Sequence, residues 1–169
     1  MTFIPRYSVI EDQFAIYDVT DAKTGAVEAA SGVVVSYTGY NSNAGVTKVK
    51  ATASGTVPRA FLMQDVKHSY PNLPAGFRYR GDIGASTAFV GEPVAIAHSG
   101  GVFDTNSYAD DLGTGIAAGD KLYAKVGGNL TNKSSYSVTG SADAVAVARN
   151  TLSTDAIAAH KLLRVQILI

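Results

Sequence analysis

Apolar and polar positions alternate within the segment Ala88–Thr131, around which the rest of the chain can be ordered. Val94 and Ile96 face one side of a strand and the alanines between and after them face the other, a period of two that predicts β-structure. Ser99–Gly101 then offers residues that readily adopt the positive backbone angles of a tight turn. We therefore predict a β-hairpin, with Val102–Phe103 beginning its second strand.

A second alternating segment follows. In Leu122–Val126 the leucine, alanine and valine share one face, and the tyrosine and lysine between them share the other. Gly127–Asn129 turns the chain into Leu130, which predicts a second hairpin. A polar insertion, Asp104–Gly115, separates the two. Neither hairpin carries side chains suited to catalysis, which argues against an enzyme.

The same patterns predict strands in most other parts of the chain. Arg59–Val66 is compatible with a strand or with a helical turn, and Thr38–Gly45 has the composition of a loop. Ser153, ahead of an alanine-rich segment, is a helix-cap signal that predicts one or two helical turns. The further predicted strands are Gln13–Val19, Gly32–Tyr37, Val46–Ser54, Ser134–Val138, Ala142–Arg149 and Lys161–Ile169.

About nine or ten short strands and at most one short helix predict an all-β fold. We expect a single β-barrel or sandwich-like domain of short antiparallel strands, completed by the strand at the C-terminus. Residues 1–11 form an extended N-terminal arm, because Pro5 interrupts regular pairing there, and residues 12–169 form the β-rich domain. We expect residues 38–84 to form a looped sub-region within it, since 68–84 is rich in proline and glycine.

Composition and charge narrow the function classes. Only 17% of residues are charged, and 14 lysines and arginines balance 14 aspartates and glutamates. The lack of basic excess argues against a nucleic-acid partner, and a nearly uncharged surface suits self-association or a permanent partner. The absence of cysteine excludes disulfides and thiolate metal sites. No signal-peptide pattern or membrane-spanning run is present, so we expect synthesis in a cytoplasm and no membrane partner.

The candidate chemistry is sparse. His68, His98 and His160 lack the spacing of metal ligands, so we expect structural or surface roles and no metal or other cofactor. His98 precedes Ser99, but neighbours along a strand point to opposite faces. Gly113–Gly119 superficially resembles a dinucleotide-binding loop. It lacks the preceding strand and following helix of that motif, which favours a flexible loop ending in a β-turn.

Four Asp and Asn side chains lie in the polar insertion, at Asp104, Asn106, Asp110 and Asp111. A calcium site is one interpretation, because calcium prefers carboxylate and carbonyl oxygens. Turn capping is the other, since Asp and Asn are common in loops for that reason. The spacing differs from that of an EF-hand loop, which favours turn capping.

Four stretches occur in an order that resembles the small capsid decoration, or cement, proteins of tailed bacteriophages: GEPVAIAHSGGVF, IAAGDKLYAKVGGNLT, SADAVAVA and LLRVQILI. In that family a G-(D/E)-x-V-x-V strand ends in a glycine-rich turn, I-x-x-G-D leads into the next strand, and an alternating alanine segment precedes a final apolar strand. The resemblance covers about the C-terminal half, and the insertions Asp104–Gly115 and Asn150–Lys161 depart from it. The matching positions are Gly91, Glu92, Val94, Ile96, Gly100, Gly101, Ile116, Gly119, Asp120, Leu122, Gly128, Leu130, Ala144, Ala146 and Val165.

The resemblance implies a non-enzymatic virion protein, made in the host cytoplasm, that binds the outer capsid surface as a homotrimer and clamps neighbouring major capsid subunits. We expect the arm to contact this partner by strand addition, through Phe3, Ile4, Arg6 and Tyr7. Aromatic and arginine side chains concentrate at interface centres, so a second contact region is expected in residues 68–84. Its candidate residues are Tyr70, Phe77, Arg78, Tyr79 and Arg80.

Two other binding functions remain open. A tail-, neck- or fibre-associated structural β-domain would have the same composition but a ring or fibre as its partner. A carbohydrate-binding module would need exposed aromatic side chains on a flat face, for which the nine tyrosines are the available residues.

Overall fold

The computed structural model describes residues 3–7, 11–19, 27–43, 45–67, 87–109, 115–139 and 143–169. Within them the protein is mostly β, which confirms the predicted all-β class. These residues include fourteen strands, a 3₁₀ turn and an α-helix, α1 (Thr154–Ala158). The strands are β1 (Phe3–Tyr7), β2 (Glu11–Tyr17), β3 (Val27–Ala29), β4 (Val34–Asn41), β5 (Val46–Ala51), β6 (Ala60–Leu62), β7 (Asp65–Lys67), β8 (Thr87–Phe89), β9 (Pro93–His98), β10 (Gly100–Thr105), β11 (Lys121–Ala124), β12 (Leu130–Thr131), β13 (Ala146–Ala148) and β14 (Leu163–Ile167).

Five strands close into a barrel in the order β2-β5-β4-β6-β9. Strand β9 closes it by pairing antiparallel with β2, from Glu11 opposite His98 to Ile16 opposite Pro93. Strands β2 and β5 run parallel, and the other barrel pairs are antiparallel. The predicted barrel is therefore present, but it uses only part of the chain.

The remaining described strands form two further sheets. A six-stranded sheet has the order β1-β10-β14-β13-β11-β12, and a three-stranded sheet has the order β3-β7-β8. The C-terminal strand β14 has Leu163, Val165 and Ile167 buried on one face, as its alternation predicts. It lies inside the six-stranded sheet, between β10 and β13.

Alternate residues of the barrel strands belong to two hydrophobic clusters. Val35 and Leu62 pack with inward positions of β2 and β5 inside the barrel. Their neighbours Val34 and Phe61 pack with buried residues of β10, β11, β13 and β14. Strands β4 and β6 are thus covered on both faces. This explains why β4 begins with an unbroken apolar run, and why β6 consists of one, instead of alternating.

The hairpin predicted at Ser99–Gly101 is wrong, although both of its strands exist. Strand β9 pairs with β2 and β6, whereas β10 pairs with β1 and β14. Gly100 and Gly101 do have positive φ angles, 76° and 74°. The turn therefore carries the chain from the barrel into the six-stranded sheet, because each strand pairs where its apolar face is covered and not simply with its neighbour in sequence.

The second predicted hairpin is confirmed. Tyr123 pairs with Thr131 and Ala124 with Leu130. A hydrogen bond links its turn to the barrel, since the Val34 N–H donates to the Gly128 carbonyl at 2.9 Å. A Cβ at position 128 would lie only 2.5 Å from the Val34 carbonyl oxygen, so glycine permits this close approach.

Of two strands predicted near the C-terminus, the first is wrong and the second is partly right. Ser134–Val138 contains the 3₁₀ turn Ser134–Tyr136 instead of a strand. Local bonds such as that from the Lys133 N–H to the Thr131 hydroxyl favour a turn in this serine-rich segment. The strand predicted at Ala142–Arg149 is limited to β13 in the described residues.

Two assignments in the N-terminal half are also revised. Strand β4 extends into the predicted loop Thr38–Gly45, because β5 supplies partners as far as the pair Asn41 and Val46. The segment Arg59–Val66, compatible with either a strand or a helical turn, contributes β6 and the start of β7. A bend at Gln64 separates the two strands.

The helix-cap prediction is confirmed at α1. The Ser153 side chain accepts a hydrogen bond from the Ala156 N–H at 3.2 Å. At the other end, the His160 N–H donates to the Ile157 carbonyl and the Lys161 N–H to the Ala156 carbonyl. This double closure is a Schellman arrangement, which requires a left-handed residue, and His160 supplies it with φ of 50°.

The segment predicted as an N-terminal arm contains β1, an edge strand of the six-stranded sheet. It pairs with β10 from Phe3 opposite Thr105 to Tyr7 opposite Val102, with a register shift between Pro5 and Tyr7. Proline is tolerated at an edge because only one side of such a strand bonds to a neighbour. Pro5 therefore disturbs the pairing without preventing it.

Candidate partner-binding surface

The first predicted contact region, on β1, lies against the protein's own sheet. The Phe3 ring is half-buried and stacks on Phe103, with 4.2 Å between ring centroids, and on Phe61 at 5.7 Å. Ile4 pairs with Asp104, Tyr7 pairs with Val102, and Arg6 lies at the register shift. Much of the Phe3 ring is therefore used inside the molecule.

The second predicted contact region falls in another part of the chain. Its residues Tyr70, Phe77, Arg78, Tyr79 and Arg80 lie outside the described residues. Asp110 and Asp111 of the polar insertion, and His68, do so as well.

His98 lies at one end of the barrel and contacts a tyrosine. Its Nε2 is 3.2 Å from the hydroxyl of Tyr37, and the two rings are tilted by 57°. Tyr37 lies on β4, two residues beyond Val35, the last β4 residue that pairs with β6. The Ser99 N–H donates to the Ile169 carbonyl, which joins the chain after β9 to the C-terminal residue.

The glycine-rich segment that superficially resembles a dinucleotide-binding loop ends in a turn, as predicted. The Asp120 N–H donates to the Ala117 carbonyl, and the Ala117 N–H donates to Asp120 Oδ2 at 2.8 Å. Strand β11 follows directly. The segment therefore lacks the helix N-terminus on which a pyrophosphate would bind.

Asp104, one of the four candidate calcium ligands, binds an arginine. Its carboxylate accepts from Arg164 Nε at 2.8 Å and from Arg164 Nη2 at 3.2 Å. The described residues contain no group of three or more His, Asp or Glu side chains placed to hold a metal ion. The geometry of Asp104 is that of a structural ion pair.

Four exposed aromatic side chains were not singled out from the sequence. Phe14 and Tyr40 are each 66% exposed, and Tyr37 and Tyr136 are more than two-fifths exposed. Phe14 faces outward because its neighbours Ala15 and Tyr17 fill the barrel. Asp18, on the same strand face as Phe14, was the sequence signal that this face is the solvent side.

The outer face of β2 and β5 combines apolar and charged groups. Ile16 lies opposite Lys48 in the parallel register, two residues beyond Phe14. Lys48 Nζ is 3.6 Å from Asp18 Oδ1, and the Thr38 hydroxyl donates to Asp18 Oδ2 at 3.0 Å. This outer face thus presents the exposed Phe14 ring beside the partly exposed ion pair of Lys48 with Asp18.

The described part of the chain contains no helix with the length and apolar character that a membrane crossing requires. A scan against protein-family models and a search of the curated proteins both return no match to this sequence.

Proposed function

We propose that this chain is a structural virion protein that binds the outer surface of a phage capsid and clamps neighbouring major capsid subunits. The observation that carries the proposal is where the decoration-protein pattern falls in the fold. Its core positions Leu122, Leu130 and Val165 are buried in the six-stranded sheet. Its turn glycines with positive φ are Gly91, Gly100, Gly101, Gly119 and Gly128.

A non-catalytic role is supported by how the described polar side chains are used. Asp104 binds Arg164, His98 contacts Tyr37, and Asp120 closes a turn. Each of these side chains contacts another part of the protein itself. A side chain engaged in this way is poorly placed to act as a nucleophile or base, which requires access to a substrate.

The proposed partners are the major capsid protein and further copies of this chain, arranged as a homotrimer on the capsid surface. A symmetric shell presents many equivalent sites, so weak contacts repeated by symmetry give strong attachment. The neutral net charge supports close packing of copies, since little repulsion opposes it.

The test is to count this polypeptide in purified virions of the phage that encodes it, by quantitative mass spectrometry against the major capsid protein. We expect about one copy for each capsid subunit, as symmetric coverage of the shell requires. A few copies per particle would instead assign it to the neck, tail or a fibre. Its absence from virions would contradict the proposal.

Carbohydrate binding is the second candidate, favoured by one observation. Tyr37 and Tyr40 are exposed on the same strand, and His98 lies beside Tyr37. Exposed tyrosines offer the apolar ring faces and hydroxyl groups on which sugars stack and bond. Binding to a glycan array that is lost in a Tyr37→Ala/Tyr40→Ala variant would support this candidate. If the original chain binds no glycan on the array, carbohydrate binding is excluded.

A further inference from the structure

The outer face of the barrel is apolar where β2 pairs with β9. Phe14 and Ile16 face outward on β2, because the residues that alternate with them fill the barrel. The register places Phe14 opposite Ala95. It places Ile16 opposite Pro93, and directly opposed residues of antiparallel strands lie side by side on one face. Four apolar residues from two strands therefore form one outward-facing group.

This apolar group is accessible from solvent. Phe14 and Pro93 are exposed, and Ile16 and Ala95 are partly exposed. A single exposed apolar side chain is ordinary on a protein surface, whereas neighbouring ones that together form a patch are a feature of interaction sites. The group therefore offers a contact surface that a lone phenylalanine would not.

One ion pair borders the apolar group. Lys48 lies opposite Ile16 in the parallel register of β2 and β5, and its Nζ is 3.6 Å from Asp18 Oδ1. The Lys48 side chain is 37% exposed and that of Asp18 is 30% exposed. A cation and an anion are thus both accessible at one edge of the group. The name Phe14 surface is used below for this pair together with Phe14, Ile16, Pro93 and Ala95.

The charges of this border favour a second copy of the chain as the partner. When two identical surfaces meet about a two-fold axis, residue i of one contacts residue j of the other, and the converse contact follows by symmetry. An axis that passes between Asp18 and Lys48 brings each of them against the other residue of the second copy. A purely acidic or purely basic partner would attract one of these charges and repel the other.

We propose that the Phe14 surface joins two copies of this chain face to face. The two Phe14 rings pack against each other at the centre of the contact, and Asp18 and Lys48 pair reciprocally at its border. The zero net charge of the chain leaves little general repulsion to oppose this contact. The inference goes beyond the proposed homotrimer, because a two-fold contact joins chains of adjacent trimers as well as chains free in solution. It does not depend on capsid binding.

The direct test is sedimentation equilibrium of the full chain and of Phe14→Ser at a series of matched concentrations. We expect the original chain to reach up to twice the average mass of the variant, because a two-fold contact joins chains in pairs. Phe14→Ser should weaken the association at least about tenfold, since each contact loses two buried rings. Equal average masses of the two proteins at every concentration would overturn the proposal.

Tyr40→Ser is the matched control. Tyr40 is as exposed as Phe14, but it pairs with Thr47, which shares the interior face of β5 with Val49. Tyr40 therefore lies on the opposite face of the sheet, and its loss should leave the association unchanged. At high dilution both variants should unfold like the original chain, since separate copies leave both rings in solvent. Equal weakening of the association by the two variants would contradict the proposal.

Charge reversals test whether the ions pair between copies. Asp18→Lys gives each surface two cations and Lys48→Asp gives it two anions, so each variant alone should associate roughly three- to tenfold more weakly than the original chain. An equimolar mixture should regain the association, because a surface with two cations then meets one with two anions. The pair within each chain stays broken in the mixture and cannot cause this recovery.

A second mixture controls for attraction between oppositely charged proteins in general. Asp155→Lys and Lys121→Asp carry the same net charges as the two reversal variants, but they change exposed residues outside the Phe14 surface. Mixing them should not strengthen the association beyond that of either variant alone. A gain equal to that of the first mixture, or no gain in the first mixture, would overturn the reciprocal contact.

Discussion

Asp104 on β10 and Arg164 on β14 are directly opposite one another and form a two-point ion pair across the six-stranded sheet. The Asp104 side chain is 7% exposed and that of Arg164 is 44% exposed. The guanidinium therefore reaches from the solvent side over a largely buried carboxylate. Such a carboxylate depends on its partner, because burial removes most of its hydration.

Removing the guanidinium should destabilise the fold measurably. We expect Arg164→Met, which keeps an apolar stem, to lower the free energy of unfolding by about 2 kcal/mol because it leaves the buried carboxylate without its ion pair. The control is Lys48→Met, which breaks the more exposed pair with Asp18 and should cost at most about 1 kcal/mol. Urea denaturation measures both, and equal effects would contradict the structural role given to Asp104.

The close approach of Gly128 to the barrel gives a second prediction. Gly128→Ala should lower the free energy of unfolding by about 3 kcal/mol, because the added Cβ combines a left-handed backbone with contact against Val33 and Val34. At Gly127, φ is 87° and no atom lies within 4 Å of where a Cβ would be. Gly127→Ala should therefore cost only about 1 kcal/mol. Similar losses of unfolding free energy for both variants would contradict the close approach of Gly128 to the barrel.

The stacking of Phe3 predicts that β1 contributes to stability. We expect Phe3→Ala to lower the free energy of unfolding by about 2 kcal/mol, because a half-buried ring leaves Phe103 and Phe61 uncovered. Phe14→Ala removes the same ring from an exposed position on β2 and should stay within about 0.5 kcal/mol. Thermal unfolding of the two variants compares them directly. If Phe3→Ala is as mild as Phe14→Ala, β1 does not pack as described.

The left-handed residue after α1 offers a stabilising change. His160→Gly should raise the free energy of unfolding by about 1 kcal/mol, because glycine adopts φ of 50° without the steric cost of a Cβ. His160→Ala keeps the Cβ and should give no such gain. A loss of stability in the glycine variant would mean that contacts of the His160 side chain outweigh the backbone strain.

The candidate surfaces were only partly accessible to sequence reasoning. Phe3 was selected as a partner contact, but an apolar residue near a chain end contacts either a partner or its own core, and only the stack with Phe103 distinguishes these.

Local interactions explain what the sequence by itself determined about this protein. Alternation specified β2, β5 and β14, the Ser153 cap specified the start of α1, and Gly100 and Gly101 specified a turn with positive φ. Each of these depends on residues within a few positions of one another, where backbone geometry and side-chain hydrogen bonds decide the outcome. The all-β class follows from them.

The tertiary structure alone decided which strands pair and what covers each face. A period of two defines two faces for β9 and β10 but does not say that one strand joins the barrel and the other the sheet. That choice depends on apolar surface contributed by residues far away in sequence, such as Val34 and Phe61 against Val165. The ion pair of Asp104 with Arg164 arises in the same way, because it exists only once β10 and β14 are adjacent.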